Sequence, residues 1–410
     1  MSTDLPVELW EIIFDQFSTS KSTLKACSLV CRAWMRIAWK RLFHTISLRY
    51  PRWKQPKAPP PVSSWNFPWA LFRRQTPETS LVGAAVQGWA PMLSFFNSPR
   101  RPTQYTIEIK IILPLSEFVV GPPPAFFVAG SFRFPRLRDV HVYAPNNYRQ
   151  SGGSWAHLHN IISHVTSLEL DCVNFRSFND FITLLASSRC TELTVEDATW
   201  ESRDIIQLSH RLDPPPIRRL SLVQIEIWAI TAFCDWLDSF NRLQNIHTLV
   251  LHVLEYPSEW CEGDNVLLRR CTAMRRLEMK VDACSFDILP SWDYSSCFAL
   301  REFSITSYLS DSIAVASPCK CIFEMLQRLP RPRTLESIEL NIDDLERVHL
   351  SWAQPHCCQL DDYLIDLSHH ALKSVVVFLC QYSFPTLTTA VDLQAVFPKL
   401  YHAGVVRDGL

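Results

Sequence analysis

A short apolar pattern that recurs along most of the chain constrains its fold more than any other feature. The pattern is apolar-x-x-apolar-x-apolar, and successive copies lie 25 to 37 residues apart. A near-constant period of this length is typical of repeat proteins, in which each unit stacks on the next. The copies are Leu137/Val140/Val142, Val165/Leu168/Leu170, Cys190/Leu193/Val195, Ile217/Leu220/Leu222, Ile246/Leu249/Leu251, Met274/Leu277/Met279, Leu300/Phe303/Ile305, Leu335/Ile338/Leu340, Leu372/Val375/Val377 and Leu400/Ala403/Val405, with Gln104/Ile107/Ile109 as a candidate opening unit.

Helical patterns fill most of the intervals between these predicted strands. Because one strand–turn–helix unit cannot bury both of its faces, such units must stack. We therefore predict an α/β solenoid in which parallel strands line a concave sheet and helices cover the convex side. The two longest intervals predict inserted loops around Ser307–Cys321 and Asp343–Leu364. The predicted helices are Phe178–Ser188, Arg203–Leu212, Ile230–Leu243, Val266–Met274, Ile322–Leu329 and Leu387–Phe397.

The repeated strand pattern and its period together resemble leucine-rich repeats. The array departs from that family because the asparagine after the strand is mostly missing and Cys, Phe or Met replaces several leucines. We therefore expect a degenerate leucine-rich-repeat-like array over residues 105–410.

Two amphipathic helical segments precede the array. In the first, residues 4–17, Pro6 suits the first turn of a helix, and Leu9, Ile12, Ile13 and Phe17 recur at helical spacing. The second follows the polar run 18–22. About fifty residues bury little core unaided, so we expect a partner surface. The alternative is that the tryptophans of this region pack inside a compact bundle. The apolar stripe of the second segment is Leu24, Cys27, Cys31, Trp34 and Ala38, and it ends near Leu42 and Phe43.

The order of residues in these two segments closely resembles the F-box family, over residues 5–43. An opening Leu-Pro-x-Glu and the aliphatic residues after it are followed by a central Cys-x-Leu-Val-Cys-Arg-x-Trp and a closing Leu-Phe. The matching residues are Leu5, Pro6, Glu8, Leu9, Ile12, Ile13, Cys27, Leu29, Val30, Cys31, Arg32, Trp34, Leu42 and Phe43.

The resemblance implies an all-helical module, residues 1–48, that docks on the Skp-type adaptor of a cullin-based ubiquitin ligase. Bulky apolar anchors in a groove are the expected contacts. The chain would then be a substrate-recognition subunit whose repeats bind a target protein. The alternative is a repeat scaffold that binds the adaptor and partners without promoting ubiquitination. The residues expected to contact the adaptor are Leu5, Pro6, Glu8, Leu9, Ile12, Ile13, Leu24, Cys27, Leu29, Val30, Cys31, Trp34, Leu42 and Phe43.

Residues 49–104 are rich in proline and basic side chains, which argues against regular helix or central strand. We predict a semi-rigid linker or an insertion, with a nucleic-acid surface as the less favoured alternative. Residues 25–107 carry a net charge of +12, and residues 108–410 a net charge of −10. A basic block of this size predicts contact with an acidic surface.

Four large aromatic side chains follow predicted strands at similar offsets: Phe175, Trp200, Trp228 and Tyr256. They are candidates for an aromatic rim on which a target segment docks. The alternative is that they pack beneath the loops as core. Substitution of Trp200 and Trp228 by Ala separates the two, because loss of melting temperature indicates core.

No catalytic motif is evident, so we expect a non-catalytic protein without a cofactor or metal. Phosphate-binding glycine motifs, GxSxG and HExxH are all missing from the sequence. Cys319 with Cys321, and His356 with Cys357 and Cys358, lack the CxxC spacing typical of zinc ligands. Acidic residues near the N-terminus do not fit a signal peptide, so the 14 cysteines are expected to be reduced. We expect a cytoplasmic or nuclear protein without a membrane span.

Overall fold

A computed structural model of the chain describes residues 7–17, 20–49, 106–112, 136–143, 158–203, 212–253, 258–308, 317–341, 350–378 and 397–408. The fold is mixed α/β, with parallel strands joined by helices. It divides into two compact units. The first comprises Met1–Cys190 with Ala198–Ile206, and the second comprises Thr191–Asp197 with Gln207–Leu410.

Three helices open the first unit: α1 (Val7–Gln16), α2 (Lys21–Cys27) and α3 (Arg32–Leu42). Side chains cap the second and third, because Ser20 Oγ accepts from the Thr23 amide and Cys31 Sγ accepts from the Trp34 amide. The three helices enclose a small core of their own. It contains Phe14, Leu24, Ile37 and Ala38, against which Trp10, Cys27, Trp34 and Leu42 pack.

Four parallel strands follow in the first unit, each paired with the next. Their apolar residues alternate with polar ones, so that Ile109, Val140 and Leu168 lie in register and are buried. The strands are β1 (Thr45–Arg49), β2 (Glu108–Ile112), β3 (Asp139–Tyr143) and β4 (Ser167–Asp171), with helices α4 (His159–Ile162) and α5 (Phe178–Ala186).

A second, two-stranded parallel sheet in this unit was not predicted. It pairs β5 (Asn174–Ser177) with β7 (Thr199–Ser202), and Phe175 lies opposite Trp200. Cys172, directly after β4, has a φ of 55°. This left-handed residue turns the chain between the two short strands β4 and β5.

The second unit contains a long parallel sheet in the order β6-β8-β9-β10-β11-β12-β13-β14. Its strands are β6 (Glu192–Glu196), β8 (Arg219–Val223), β9 (Thr248–Val253), β10 (Arg276–Asp282), β11 (Glu302–Tyr308), β12 (Ser337–Asn341), β13 (Ser374–Phe378) and β14 (Val406–Asp408). The helices are α6 (Ile227–Ser239), α7 (Ser258–Arg270), α8 (Pro318–Arg328), α9 (Leu350–Ser368) and α10 (Pro398–His402), with 3₁₀ turns at Leu243–Asn245, Ala283–Ser291 and Pro332–Thr334.

The repeated apolar pattern becomes two continuous buried rows across this sheet. Each strand of this sheet from β6 to β13 contributes its second and fourth residue, because side chains at these positions point to the same face. The two apolar positions of each apolar-x-apolar pattern in the sequence therefore pair with the same two positions on the neighbouring strand. One row is Leu193, Leu220, Leu249, Leu277, Phe303, Ile338 and Val375, and the other is Val195, Leu222, Leu251, Met279, Ile305, Leu340 and Val377.

Four predictions about the array are wrong in detail. The interval around Asp343–Leu364 is not a loop from residue 350 onward, because α9 occupies it and buries Cys357, Leu360 and Leu364 at helical spacing. The predicted loop around Ser307–Cys321 likewise ends in the first turn of α8, which begins at Pro318.

The last predicted strand, Leu400/Ala403/Val405, is a helix at its start, since Leu400 lies in α10 and β14 begins only at Val406. The predicted opening strand is shifted by two residues, because Ile109 and not Ile107 pairs with Val140 of β3. The predicted helices Arg203–Leu212 and Leu387–Phe397 lie almost entirely outside the described residues.

Candidate functional site

Large apolar side chains are exposed on the three N-terminal helices. Six of the eight exposed large hydrophobic residues in the described part of the chain lie there, and we call them the exposed apolar residues: Leu9, Ile12, Ile13, Phe17, Leu29 and Val30. Leu9, Ile12 and Ile13 lie on one face of α1, and Phe17 follows the last residue of α1 at the same helical spacing. The other two form the turn between α2 and α3, where Leu29 is 86% exposed and Val30 is 63% exposed.

A neighbouring face of α1 is also apolar and packs inside the module. The rings of Trp10 and Trp34 are tilted by 59° with centroids 4.7 Å apart, and Phe14 meets the Trp34 ring edge-on at 5.5 Å. Phe14 is almost completely buried. A helix that is apolar on both faces is expected to be covered on both. Within the described residues, α1 is covered on one.

Ion pairs join α3 to α1. Arg41 Nη2 lies 2.5 Å from Asp15 Oδ1 and also donates to the Glu11 carbonyl oxygen at 2.7 Å. Lys40 Nζ lies 3.0 Å from Glu11 Oε1. Two of the basic side chains that were expected to face an acidic partner are therefore paired within the module, while Arg36 is exposed.

The other residues expected at the adaptor contact divide between surface and interior. Leu24 is buried in the helical core, so its role is to support the module and not to offer a contact surface. Cys27, Trp34 and Leu42 are partly buried against that core. Cys31 is exposed at the start of α3, and Phe43 is half-buried with its ring 5.7 Å from Trp39. Leu5 and Pro6 lie outside the described residues, as does the side chain of Glu8.

The helical module joins the sheet directly through β1. The His44 carbonyl oxygen, at the end of α3, accepts from the amides of Ile107 and Glu108 at 3.0 Å each. Thr45 Oγ1 donates to Glu108 Oε2 at 2.6 Å. Burial alone would raise the pKa of Glu108, but the bonds from Thr45 and Lys110 outweigh it and lower the pKa. Glu108 is thus held as a carboxylate at this junction.

The candidate target-binding aromatics are mostly packed inside. Phe175 is fully buried and stacks on Trp200 with centroids 6.3 Å apart. Trp200 also lies 5.9 Å from both Phe178 and Phe181. This cluster favours the core alternative for Phe175 and Trp200.

Trp228, in contrast, is half-buried and donates its indole N–H to Glu226 at the start of α6. Tyr256 lies outside the described residues. Among the aromatic candidates that the structure describes, Trp228 is therefore the one that lies outside this cluster.

The face of the second-unit sheet opposite the two buried rows carries a charge network. Arg219 and Glu278 form a bidentate pair, with Nη1 and Oε1 2.6 Å apart. Because they stand on β8 and β10, their side chains span β9, where Val250 is 2% exposed. Arg276 adds bonds of 2.7 Å to Glu278 and 3.0 Å to Glu302. Burial would raise the pKa of Glu278, but the two arginines lower it.

His252 lies on the same face, opposite Lys280 in the register of β9 and β10. Burial, together with the positive charge of Lys280, lowers its pKa to about 4. The imidazole is therefore neutral near pH 7.

Metal-binding geometry is not found in the described residues, where no group of three or more His, Cys, Asp or Glu side chains could hold an ion. Cys319 and Cys357 nevertheless come together, with their sulfur atoms 3.0 Å apart between α8 and α9. Within the same residues, no helix is long and apolar enough to cross a membrane.

Comparison with protein families identifies the N-terminal module. Residues 2–49 match the F-box-like family, a segment that spans α1, α2, α3 and β1. No curated protein sequence matches the chain. F-box domains in general bind Skp-type adaptors, so the match supports a ubiquitin ligase adaptor role in general terms.

Proposed function

We propose that the chain is the substrate-recognition subunit of a Skp–cullin–F-box type ubiquitin ligase, acting without chemistry of its own in the cytoplasm, the nucleus or both. The helical module docks the adaptor, and through it the cullin, while the remainder binds a target protein. Holding a target lysine near a charged ubiquitin carrier makes their reaction effectively intramolecular. The observation that carries the proposal is the second, exposed apolar face of α1 within the segment that matches the F-box-like family.

The energetic argument rests on the six exposed apolar residues. Burial of a Leu, Val or Ile side chain that is otherwise exposed contributes about 1.5–3 kcal/mol. Leu29 and Val30 are the two most exposed of the six, and they adjoin Cys31, the N-cap of α3. A partner groove that covers this turn and the face of α1 gains apolar burial at little conformational cost, since both are already ordered.

Target binding is assigned to the sheet. Eight parallel strands in register, with helices between them, support a leucine-rich-repeat-like array. The strands of such a sheet already satisfy each other's backbone hydrogen bonds, so a partner contacts the side chains of the face. Polar and charged side chains there suit the recognition of a protein. The charge network of Arg219, Arg276 and Glu278 lies on that face.

Adaptor docking is tested by placing charge on the exposed turn. The double variant Leu29→Asp with Val30→Asp should weaken adaptor binding at least about tenfold, because a carboxylate in an apolar groove loses its hydration. Its melting temperature should stay near that of the unaltered chain, since exposed side chains contribute little to stability. The measurement is co-purification and titration with a purified Skp-type adaptor.

Two further variants make the result interpretable. Ser22→Asp with Gln359→Asp adds the same charge at exposed polar positions of α2 and α9 and should leave adaptor binding unchanged. Phe14→Ala should destabilise the module by about 3–5 kcal/mol through its core. Unchanged adaptor binding by the Leu29/Val30 variant would refute the docking proposal. Ubiquitination of a co-purified protein in a reconstituted ligase then separates a substrate receptor from a scaffold.

A further inference from the structure

A row of basic side chains lies where the strands of the second unit begin. The residue before each strand donates its amide to the carbonyl oxygen of its counterpart on the preceding strand, at 2.6 to 2.8 Å. These positions are therefore consecutive neighbours across the sheet. From β8 to β13 they are Arg218, His247, Arg275, Arg301, Glu336 and Lys373, and we call this row the basic edge.

The cations of the basic edge are exposed and incompletely neutralised. Arg218 and Arg275 are exposed, and no acidic side chain of the described residues forms an ion pair with either. Arg301 and Lys373, 60% and 73% exposed, share one carboxylate, that of Glu336. This row stands out because residues 108–410 carry a net charge of −10.

Helix ends do not account for these four cations. Arginines in the last turn of a helix complement its dipole, and Arg269, Arg270 and Arg328 occupy such positions on α7 and α8. The four cations of the basic edge lie outside the helices, directly before strands. They therefore need another explanation.

An exposed aromatic ring beside the basic edge points to a ligand. Phe298 is 53% exposed, three residues before Arg301, and the guanidinium of Arg331 lies 5.8 Å from its ring centroid. Thr334 Oγ1 donates to the carbonyl oxygens of Leu300 and Arg331, which holds these two segments together. Aromatic and arginine side chains are enriched at protein–protein interfaces relative to the rest of the surface.

We propose that the basic edge binds an extended acidic segment of a target protein, with one apolar side chain of that segment resting on Phe298. The inference rests on the proposed function and names the class of target. Strands lie about 4.8 Å apart, so the five steps from β8 to β13 span about 24 Å, or about seven residues of extended chain. Carboxylates of such a segment would face Arg218, Arg275 and Arg301 in turn.

A protein segment fits this surface better than a nucleic acid. Glu336 lies between Arg301 and Lys373, where it would repel a continuous phosphate backbone. A single exposed ring is also unlike the series of stacking platforms that single-stranded nucleic acids require. A peptide places a neutral or apolar residue at such a position without loss.

The test is fluorescence anisotropy with a labelled peptide of about seven residues, built from Glu and Asp with one central Phe. The intact chain should bind it at low salt and should not bind a peptide with Gln and Asn in place of the acids. Arg275→Glu with Arg301→Glu should weaken binding at least about tenfold. Arg275→Gln with Arg301→Gln should weaken it less. Phe298→Ala should weaken it as well.

Matched controls place the same changes elsewhere. Arg176→Glu with Lys320→Glu reverses two exposed charges, and Tyr401→Ala removes another exposed ring. Neither control should alter peptide affinity. The inference is refuted if the intact chain does not bind the peptide, if the controls weaken binding equally, or if a single-stranded oligonucleotide of equal charge binds as tightly.

Adaptor binding, measured on the same proteins, separates the two claims. Retained adaptor binding without peptide binding refutes the basic edge alone. An intact chain that fails to bind the adaptor refutes the proposed function, whatever the peptide does.

Discussion

Replacing His252 by glutamine should remove a loss of stability that the protein otherwise suffers in mild acid. His252 lies half-buried on β9, opposite Lys280 on β10. Burial, and then the charge of Lys280, lowers its pKa from 6.5 to about 4. Between these two pH values the unfolded chain binds a proton that the folded chain does not. Stability is therefore fully present above about pH 6.5 and is lost as the pH falls towards 4.

The size of this effect follows from the difference between the two pKa values. Each unit of that difference corresponds to about 1.4 kcal/mol. The difference between pKa values of 6.5 and about 4 therefore lowers the unfolding free energy by about 3 kcal/mol once the pH has fallen below 4. Glutamine keeps a polar side chain and cannot take up a proton. The His252→Gln variant should therefore lose less stability between pH 6.5 and 4 than the unaltered chain does.

Urea unfolding at a series of pH values, followed by circular dichroism, measures the effect. The difference between variant and unaltered chain isolates His252, because the lowered pKa of Glu278 contributes to both. His369→Gln replaces an exposed histidine and is the control, and Lys280→Gln should reduce the slope in part. Parallel pH profiles for the unaltered chain and His252→Gln would contradict the burial argument.

Two further predictions concern the backbone and the C-terminal helix. Gln224, directly after β8, has a φ of 55°, so Gln224→Val should lower the unfolding free energy by about 1 kcal/mol while Gln224→Gly should not, as measured by urea unfolding. Asp361 is buried and accepts from the amides of Lys399 and Leu400 at 2.9 and 3.0 Å, so Asp361→Ala should cost about 1–3 kcal/mol and expose α10 to proteolysis. Asp362→Ala removes only an exposed ion pair to Lys399 and should have little effect, and equal proteolysis of both variants would contradict the capping role.

Strands β6 and β8 to β13 of the second-unit sheet were predictable because each repeats the same two buried positions. Leu249 and Leu251 on β9 face Leu277 and Met279 on β10, and a period-2 pattern admits one register on one face. α9 was missed although Cys357, Leu360, Leu364 and Leu367 are buried at helical spacing. Pro355 and two adjacent cysteines obscured that pattern. β5 and β7 are four residues long, too short to show a period.

The candidate site was predictable in composition but not in geometry. Leu9, Ile12 and Ile13 have the spacing of a core-facing stripe, yet they are exposed while Trp10 and Phe14 of the same helix are packed. Hydrophobic periodicity reports that a face is apolar, and it does not report what covers it. The three-dimensional packing of α3 against α1 decides which face remains. The basic edge was not predicted for a related reason, since its cations lie far apart in the chain.

The pairing of β1 with β2 favours an insertion within the sheet, and not a spacer between module and repeats, as the role of the proline-rich segment. Arg49 ends β1 and Glu108 begins β2, its parallel neighbour, so residues 50–107 connect two adjacent strands of one sheet in sequence. In the described part of the chain, the helical module is joined to the sheet by His44 and β1. A parallel crossover requires a dozen or more residues. Replacement of residues 50–105 by a Gly/Ser linker of about 15 residues should therefore preserve both melting temperature and adaptor binding. A spacer role would instead predict that ubiquitination of a bound target changes with linker length, and a series of lengths in the reconstituted ligase decides between them.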